Sequence, residues 1–374
     1  MRFIHTSDWQ LGKPFGRVPE GARTLLQEAR LDAIDAIAGA ARREGVDLVL
    51  VAGDVFDSSE PGDRVFRQAL ARMKAAPDVR WVLLPGNHDP ARADGLWSRI
   101  SAEAPPNVLT CVEPIPLQLS ESACVLPAPL QFKRGLDDPT AWFDLAETPP
   151  GTWRIGLAHG SIRNFSSSTD TINLLAPDRA KKAGLDYFAL GDWHGRVEVD
   201  PFTHYSGTPE PDDFGRESTG MVLLVELRSA AAPPHVRELP IGRHRWEEAA
   251  WTLSAQEDLN HLLDGLAPGA PRKDLVARLR LSGVVSLADR VTILGRLEAE
   301  LANEIRWLDL YAGDLFARPT NHDLADIDAN GVLREAAEQL QALSAEGGIE
   351  GRRAAAALER LYVEHQRAQR TAGA

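Results

Sequence analysis

Five short apolar runs in the first two-thirds of the chain each stop at a polar residue able to hold a ligand. Residues 2–6 run into Ser7-Asp8, residues 46–52 into Gly53-Asp54, and residues 81–84 into Pro85-Gly86-Asn87-His88-Asp89. Further on, residues 154–158 run into His159-Gly160, and residues 187–190 into Gly191-Asp192-Trp193-His194. Apolar runs of this length predict strands. Residues 19–44 and 61–75 carry apolar or alanine positions at helical spacing and predict helices packed on a sheet. Strands alternating with helices predict an α/β or α+β layered domain over residues 1–230. Open sheets of that kind bind ligands beyond the carboxyl ends of their strands, where separate loops converge.

The pattern changes after Ser229-Ala230-Ala231-Ala232-Pro233-Pro234, which reads as a boundary. Strands are predicted over 236–241, 246–253, 275–281 and 307–311, and helices over 255–263 and 286–304, making a small α+β domain of residues 235–312. Residues 317–330 are irregular, and 331–374 predict two helices in a tail that begins at 313 and lacks the heptads of a coiled coil. Ser166-Ser167-Ser168-Thr169 reads as a polar loop.

Composition narrows the class. At 374 residues, 44% hydrophobic and 25% charged, the chain predicts a soluble protein of two domains and an appendage. No stretch approaches the roughly 20 apolar residues that span a bilayer, and residues 1–5 show no secretory pattern, so a cytoplasmic location without membrane contact is expected. The net charge of −13 argues against nonspecific coating of nucleic acid, which draws on clustered Lys and Arg, yet permits local grip. Cys111 and Cys124, each in a short apolar stretch, predict buried free thiols on strands.

Each strand-end motif alone is weak, because Asp after a strand commonly caps a helix or forms a turn. Together, Asp-x-Gln, Gly-Asp, Gly-Asn-His-Asp, His-Gly and Gly-Asp-x-His occur in order at consecutive strand ends. The stretches His5-Thr6-Ser7-Asp8-Trp9-Gln10-Leu11-Gly12, Ala52-Gly53-Asp54-Val55-Phe56-Asp57 and Pro85-Gly86-Asn87-His88-Asp89 resemble the first three motifs of the calcineurin-like metallophosphoesterase superfamily. Tyr205-Ser206-Gly207-Thr208-Pro209-Glu210-Pro211, followed by Phe214-Gly215, resembles a segment of its SbcD-type DNA repair nuclease branch.

That resemblance implies a β-sandwich flanked by helices, a capping domain, and two divalent metal ions, Mn²⁺ foremost, with Fe²⁺ or Mg²⁺ as alternatives. It implies that Asp8, Gln10, Asp54 and His194 hold one ion, and that Asp54, Asn87, His159 and Asp192 hold the other, with Asp54 bridging. Two ions about 3.5–4 Å apart would share a hydroxide and clamp the phosphate during in-line displacement. His88 would assist the leaving oxygen, with Asp89 as partner of its other ring nitrogen. His5 is expected to be packed beside the first strand, and His204, His235, His244, His261, His322 and His365 to be structural or exposed.

Two positions depart from the family pattern. Asp8-Trp9-Gln10 stands where Asp-x-His is usual, and Gly191-Asp192-Trp193-His194 where Gly-His-x-His is usual. Both replacements offer oxygen to a hard cation. The amide of Gln10 is the weaker donor, which predicts a firmly held second ion, a looser first one and steep dependence on added Mn²⁺.

Arg64, Arg67, Arg92, Arg99, Lys181 and Lys182 are candidates for contact with DNA. The resemblance implies an ATPase or helicase partner docked through the C-terminal helices; a homo-oligomer is also compatible with this tail. The expected function is a Mn²⁺-dependent DNA endo- or exonuclease acting in repair. A phosphodiesterase or phosphatase for small phosphoesters and a non-catalytic DNA-binding protein are the alternatives.

Overall fold

In β1 (Arg2–Thr6), Phe3 packs into one core and Ile4 into another, and neither is exposed. The same division holds in β2 (Leu48–Val51) and β3 (Arg80–Leu83), where Leu48, Leu50 and Val82 face one way and Val49, Val51, Trp81 and Leu83 the other. A strand covered on both faces needs no polar alternation, which explains the unbroken apolar runs. The computed structural model describes every residue except 164–171, 216–219, 231, 267, 269–270, 319, 321–322, 324–326, 328–330 and 373–374. The polar loop expected at 166–169, His322 and most of the irregular stretch 317–330 lie outside the described residues.

The chain folds as two units, Met1–Arg245 and Trp246–Ala374. The first contains two six-stranded sheets. Its remaining strands are β4 (Val108–Thr110), β5 (Leu117–Ser120), β6 (Ala123–Ala128), β7 (Trp153–His159), β8 (Ser161–Ile162), β9 (Leu174–Leu175), β10 (Tyr187–Gly191), β11 (Val197–Asp200), β12 (Thr203–Tyr205), β13 (Met221–Glu226) and β14 (His235–Pro240). One sheet runs β14-β13-β1-β2-β3-β4 and the other β11-β12-β10-β7-β6-β5, with β8 and β9 forming a separate ribbon. Phe3, Leu50 and Val82 of the first sheet meet Val125, Leu157 and Ala189 of the second in a shared core, so the unit is a β-sandwich.

Helices α1 (Glu20–Glu44), α2 (Asp63–Lys74) and α3 (Leu96–Glu103) cover the outer face of the first sheet through Ile34, Ile37, Phe66, Met73, Trp97 and Ile100. Gly45, at φ 64°, ends α1 in the left-handed conformation, its N–H reaching back to the last turn. On the outer face of the second sheet, Phe143, Ala180 and Leu185 pack on Leu126, Phe188 and Leu190; Ala180 belongs to the short α4 (Arg179–Lys182). The mixed α/β fold matches the expected class.

The second unit has the three-stranded sheet β15 (Arg245–Leu253), β16 (Leu275–Val285) and β17 (Trp307–Ala317), the last two parallel. Helices α5 (Asp258–Gly265), α6 (Leu287–Arg296) and α7 (Ala302–Glu304) accompany it, followed by α8 (Val332–Ala345) and α9 (Gly348–Ala372). A single π-type turn, Leu297–Leu301, joins α6 to α7 where one continuous helix is expected over 286–304. No described helix is long and apolar enough to cross a membrane.

Two expectations differ. The strand expected to open the small domain is β14, which pairs with β13 from Met221↔Pro240 to Glu226↔His235 and so edges the first sheet. The two units divide after Arg245 and not at the Ala- and Pro-rich run before β14. Cys111 follows β4 rather than lying on a strand, although both cysteines are buried and free.

Candidate metal centre

The loops after β1, β2, β3, β7 and β10 converge at one end of the sandwich. Backbone hydrogen bonds splice the first two, from Asp8 N to Gly53 O (3.1 Å), Gln10 N to Asp54 O (2.9 Å) and Leu11 N to Val55 O (3.0 Å). Asp8, Gln10, Asp54 and Asp192 all adopt positive φ, at 54°, 41°, 52° and 108°. Such conformations are costly for side-chain-bearing residues and persist where the surroundings impose them. Four of the eight expected site residues are therefore held by the loops against their own backbone preference. Gly86 has a steric role: a Cβ there would overlap Asp54 N and Oδ1.

All eight residues border this centre, in two differently satisfied halves. On one side, Asp8, Asp54 and His159 each offer a ligand atom within 4.8 Å of the others. His159 Nδ1 donates to Ala52 O at 2.9 Å, which fixes the tautomer and leaves Nε2 unprotonated when the ring is neutral. That Nε2 is buried without a hydrogen-bond partner among the described residues, 3.5 Å from Asp54 Oδ1 and 3.8 Å from Asp192 Oδ1. Asn87 Oδ1 is also buried and unpartnered, while its Nδ2 donates to Asp192 Oδ1 at 3.4 Å. Two buried atoms without a hydrogen-bond partner among the described residues, beside three carboxylates, fit a divalent cation with oxygen and imidazole ligands.

On the other side the donors and acceptors are already matched. Gln10 Nε2 lies 3.1 Å from His194 Nε2, and Gln10 Oε1 accepts from Lys13 Nζ at 3.2 Å. His194 Nδ1 donates to Asp212 Oδ1 at 3.0 Å, and Lys13 Nζ donates to Asp212 Oδ2 at 2.6 Å.

Electrostatics follow the burial. Loss of solvent pushes the Asp8 carboxyl up to about 6. Burial would lower His159, but Asp54, Asp8 and Asp192 outweigh it and raise the imidazole to about 9. Burial likewise opposes charge on His194, and its bond to Asp212 more than compensates, so it is raised. Asp212 is desolvated, yet Arg30, His194 and Lys13 hold it well below the usual carboxylate range. A cation among Asp8, Asp54 and Asp192 would take over the charge balance that a proton on His159 otherwise supplies.

His88 stands at the rim. Its N–H donates to Asp54 Oδ1 at 2.9 Å and its Nδ1 donates to Asp57 O at 3.0 Å, leaving Nε2 without a partner among the described residues. The expected pairing with Asp89 is not formed. Asp89 is buried and accepts from Phe56 N (2.9 Å) and Gly86 N (2.8 Å), bracing the loops after β2 and β3. Backbone amides of a tight turn captured that carboxylate, and the carbonyl of Asp57 took its place beside the ring. His5 is buried as expected, between Tyr187 Oη (2.9 Å) and Leu190 O (3.2 Å).

Several supporting residues were not legible. Arg30, on α1, is 1% exposed and donates to Trp9 O (2.7 Å), Asp8 O (2.9 Å) and Glu210 O (2.9 Å). Ser161 Oγ donates to Asp192 Oδ2 at 2.6 Å. Asp212 directly follows the Tyr205–Pro211 stretch, whose Thr208 also bonds Asp8 O at 2.9 Å. The signal for Asp212 was its place between that stretch and Phe214-Gly215; Arg30 gave none beyond a charge on the buried side of a helix. Of the basic candidates, Arg64 pairs with Glu28, Arg99 with Asp63 and Glu103, and Lys182 with Asp178. Arg67, Arg92 and Lys181 are exposed and form no ion pair among the described residues.

The calcineurin-like phosphoesterase profile matches residues 1–212. The chain is similar to the uncharacterized metallophosphoesterase YhaO of Bacillus subtilis, at 27% identity over 208 residues, 52% of this chain and 49% of that protein. It is also similar to the SbcD component of the SbcCD nuclease of Bacillus subtilis, at 33% over 92 residues (24% and 22% of the two chains). For the same component in Rhodobacter capsulatus the figures are 40% over 96 residues, 25% and 22%. The chain thus spans about half the length of the first of these relatives and about a fifth of the others. With the matched region covering more than half of its length and the convergent carboxylates, imidazoles and amides inside it, the chain belongs to the calcineurin-like phosphoesterase family, whose members use divalent metal ions.

Proposed function

We propose that the protein is a Mn²⁺-dependent phosphodiesterase that cleaves DNA, a nuclease of the repair type. The observation that carries it is the pair of buried side-chain atoms, His159 Nε2 and Asn87 Oδ1, that have no hydrogen-bond partner among the described residues, beside Asp8, Asp54 and Asp192. Similarity to the SbcD component of the SbcCD nuclease over about a quarter of the chain supports DNA as substrate. In this reading Asp54, Asn87, His159 and Asp192 hold one divalent ion, and Asp8, Gln10, Asp54 and His194 form the second ligand set. A divalent ion held by these residues would polarise the phosphoryl oxygens and offset their developing charge.

The remaining chemistry belongs to the chain. Asp57 O accepts from His88 Nδ1, so Nε2 is the ring atom turned to the centre, and it would pass a proton to the leaving oxygen from the doubly protonated ring. Asp54 accepts from the His88 backbone and thereby ties the acid to the carboxylate at the middle of the centre. Arg92 and Arg67, exposed and without ion pairs among the described residues, are suited to phosphates flanking the scissile bond. A partner ATPase docked on α8 and α9 belongs to the same proposal.

The test incubates wild type and His88→Ala with single-stranded DNA, double-stranded DNA and a chromogenic phosphodiester in Mn²⁺. DNA cleavage that falls at least ~100-fold in the variant is expected. Hydrolysis of the small ester alone identifies a small-phosphoester enzyme, and inactivity on every substrate a non-catalytic protein; either result refutes the nuclease reading.

A further inference from the structure

The two halves of the centre differ in whether the chain completes them by itself. The hydrogen-bond polarity around Gln10 is determined step by step. Asp212 can only accept, so His194 Nδ1 carries the proton and donates at 3.0 Å. In the neutral ring His194 Nε2 is then a lone pair, and the group facing it at 3.1 Å is the Gln10 Nε2 amide, a donor. The Gln10 oxygen faces the Lys13 ammonium at 3.2 Å, and the same ammonium bonds Asp212 Oδ2 at 2.6 Å. Reversing the amide would set oxygen against a lone pair and NH₂ against an ammonium. The observed orientation is therefore the one that the neighbours enforce.

The consequence concerns the two atoms by which this half would ligate an ion. The imidazole lone pair of His194 is occupied by Gln10, and the Gln10 oxygen by Lys13. A positive charge, the Lys13 ammonium, already stands in this half, and the buried Asp212 carboxylate, also 3.7 Å from Arg30 NH1, holds it there. The other half shows the opposite: His159 Nε2 and Asn87 Oδ1 have no hydrogen-bond partner among the described residues.

We infer that the protein takes one divalent ion per chain, in the half made by Asp8, Asp54, Asn87, His159 and Asp192, and that Gln10 and Lys13 close the half around His194 against a second. The inference rests on the metal-dependent phosphodiesterase reading above. It replaces an equal pair of sites by one ion and one fixed ammonium. Gln10 is the residue that decides this, because an imidazole in its place would offer a lone pair instead of an NH₂ to the space beside His194.

The experiment strips the full chain with a chelator, reloads it with Mn²⁺, removes free metal, and counts bound ions by mass spectrometry and electron paramagnetic resonance. One Mn²⁺ per chain with the spectrum of an isolated ion is expected in the wild type. Gln10→His and Lys13→Met are each expected to raise the count toward two, with a spin-coupled spectrum. Two bound ions in the wild type would overturn the inference while leaving the phosphodiesterase reading intact. Variants that stay at one ion overturn it as well, since Gln10 and Lys13 would not be what closes the site. A wild type that binds no ion overturns both.

Discussion

The side of the centre around His159 and the side around His194 are built from the same kinds of residues, yet only the first is left incomplete. Around His159, three carboxylates face a buried imidazole nitrogen and an amide oxygen that have no hydrogen-bond partner among the described residues. Around His194, a lysine, a glutamine and a buried aspartate form a closed chain of hydrogen bonds. Residue type announces a ligand-binding region, but hydrogen-bond satisfaction decides which part of it needs a ligand. An unpaired buried polar group costs on the order of 1–3 kcal/mol, so a centre that keeps two of them does so for something that binds.

Substitutions should separate the halves. The largest effect is expected from Asp54→Asn, which weakens the carboxylate shared by both: DNA cleavage should fall by about 10³-fold, or ~4 kcal/mol, with loss of bound metal. Equal cleavage by variant and wild type would remove Asp54 from the centre. Next comes Arg30→Met, which strips the donors from Asp8 O, Trp9 O and Glu210 O and leaves Asp212 with one cation fewer. Denaturant unfolding should show a loss of roughly 3 kcal/mol; a change below about 0.5 kcal/mol would mean that the His194 side is not braced through this guanidinium.

A pH effect should touch both halves alike. Burial lowers His5 from 6.5 to about 3, with His204 adding to the shift. The unfolded chain therefore binds a proton between those values that the folded chain refuses. Stability from this group is present above pH 6.5 and is lost as pH falls through that window. At about pH 5 the loss is roughly 2 kcal/mol by linkage, readable as a lower melting temperature than at about pH 7 that His5→Gln largely abolishes. A variant as acid-sensitive as wild type would assign the loss elsewhere.

The smallest effect is expected from Gln10→Ala. Cleavage should drop less than about tenfold, against at least ~100-fold for His159→Ala, when the rates are compared at saturating Mn²⁺. Similar losses in the two variants would erase the distinction between the halves.

Much of this was legible because strand ends and glycine turns are local. The runs before Asp8, Asp54, Asn87, His159 and Asp192 became strands, and α1 begins at Glu20 and ends at Glu44 against a spacing of 19–44. The eight expected site residues came together because the ends of five strands, β1, β2, β3, β7 and β10, carry them on one side of the sandwich. What escaped was nonlocal. Lys13 and Asp212 are 199 positions apart, and Arg30 reaches Asp8 from a helix whose pattern showed only a buried face. Asp89 sits beside His88 in sequence but turns to backbone amides, because a buried turn must satisfy its N–H groups first. Residues 235–240 misled because a hairpin linker and a domain linker share one composition.

The central claim, a metal-dependent enzyme for DNA phosphodiesters, is tested most directly by titrating Mn²⁺ into chelator-stripped protein and following cleavage of end-labelled DNA. No cleavage is expected before addition, and a rate that rises with Mn²⁺ to a plateau after it. DNA left intact at saturating Mn²⁺, or cut equally well in the presence of chelator, would contradict it.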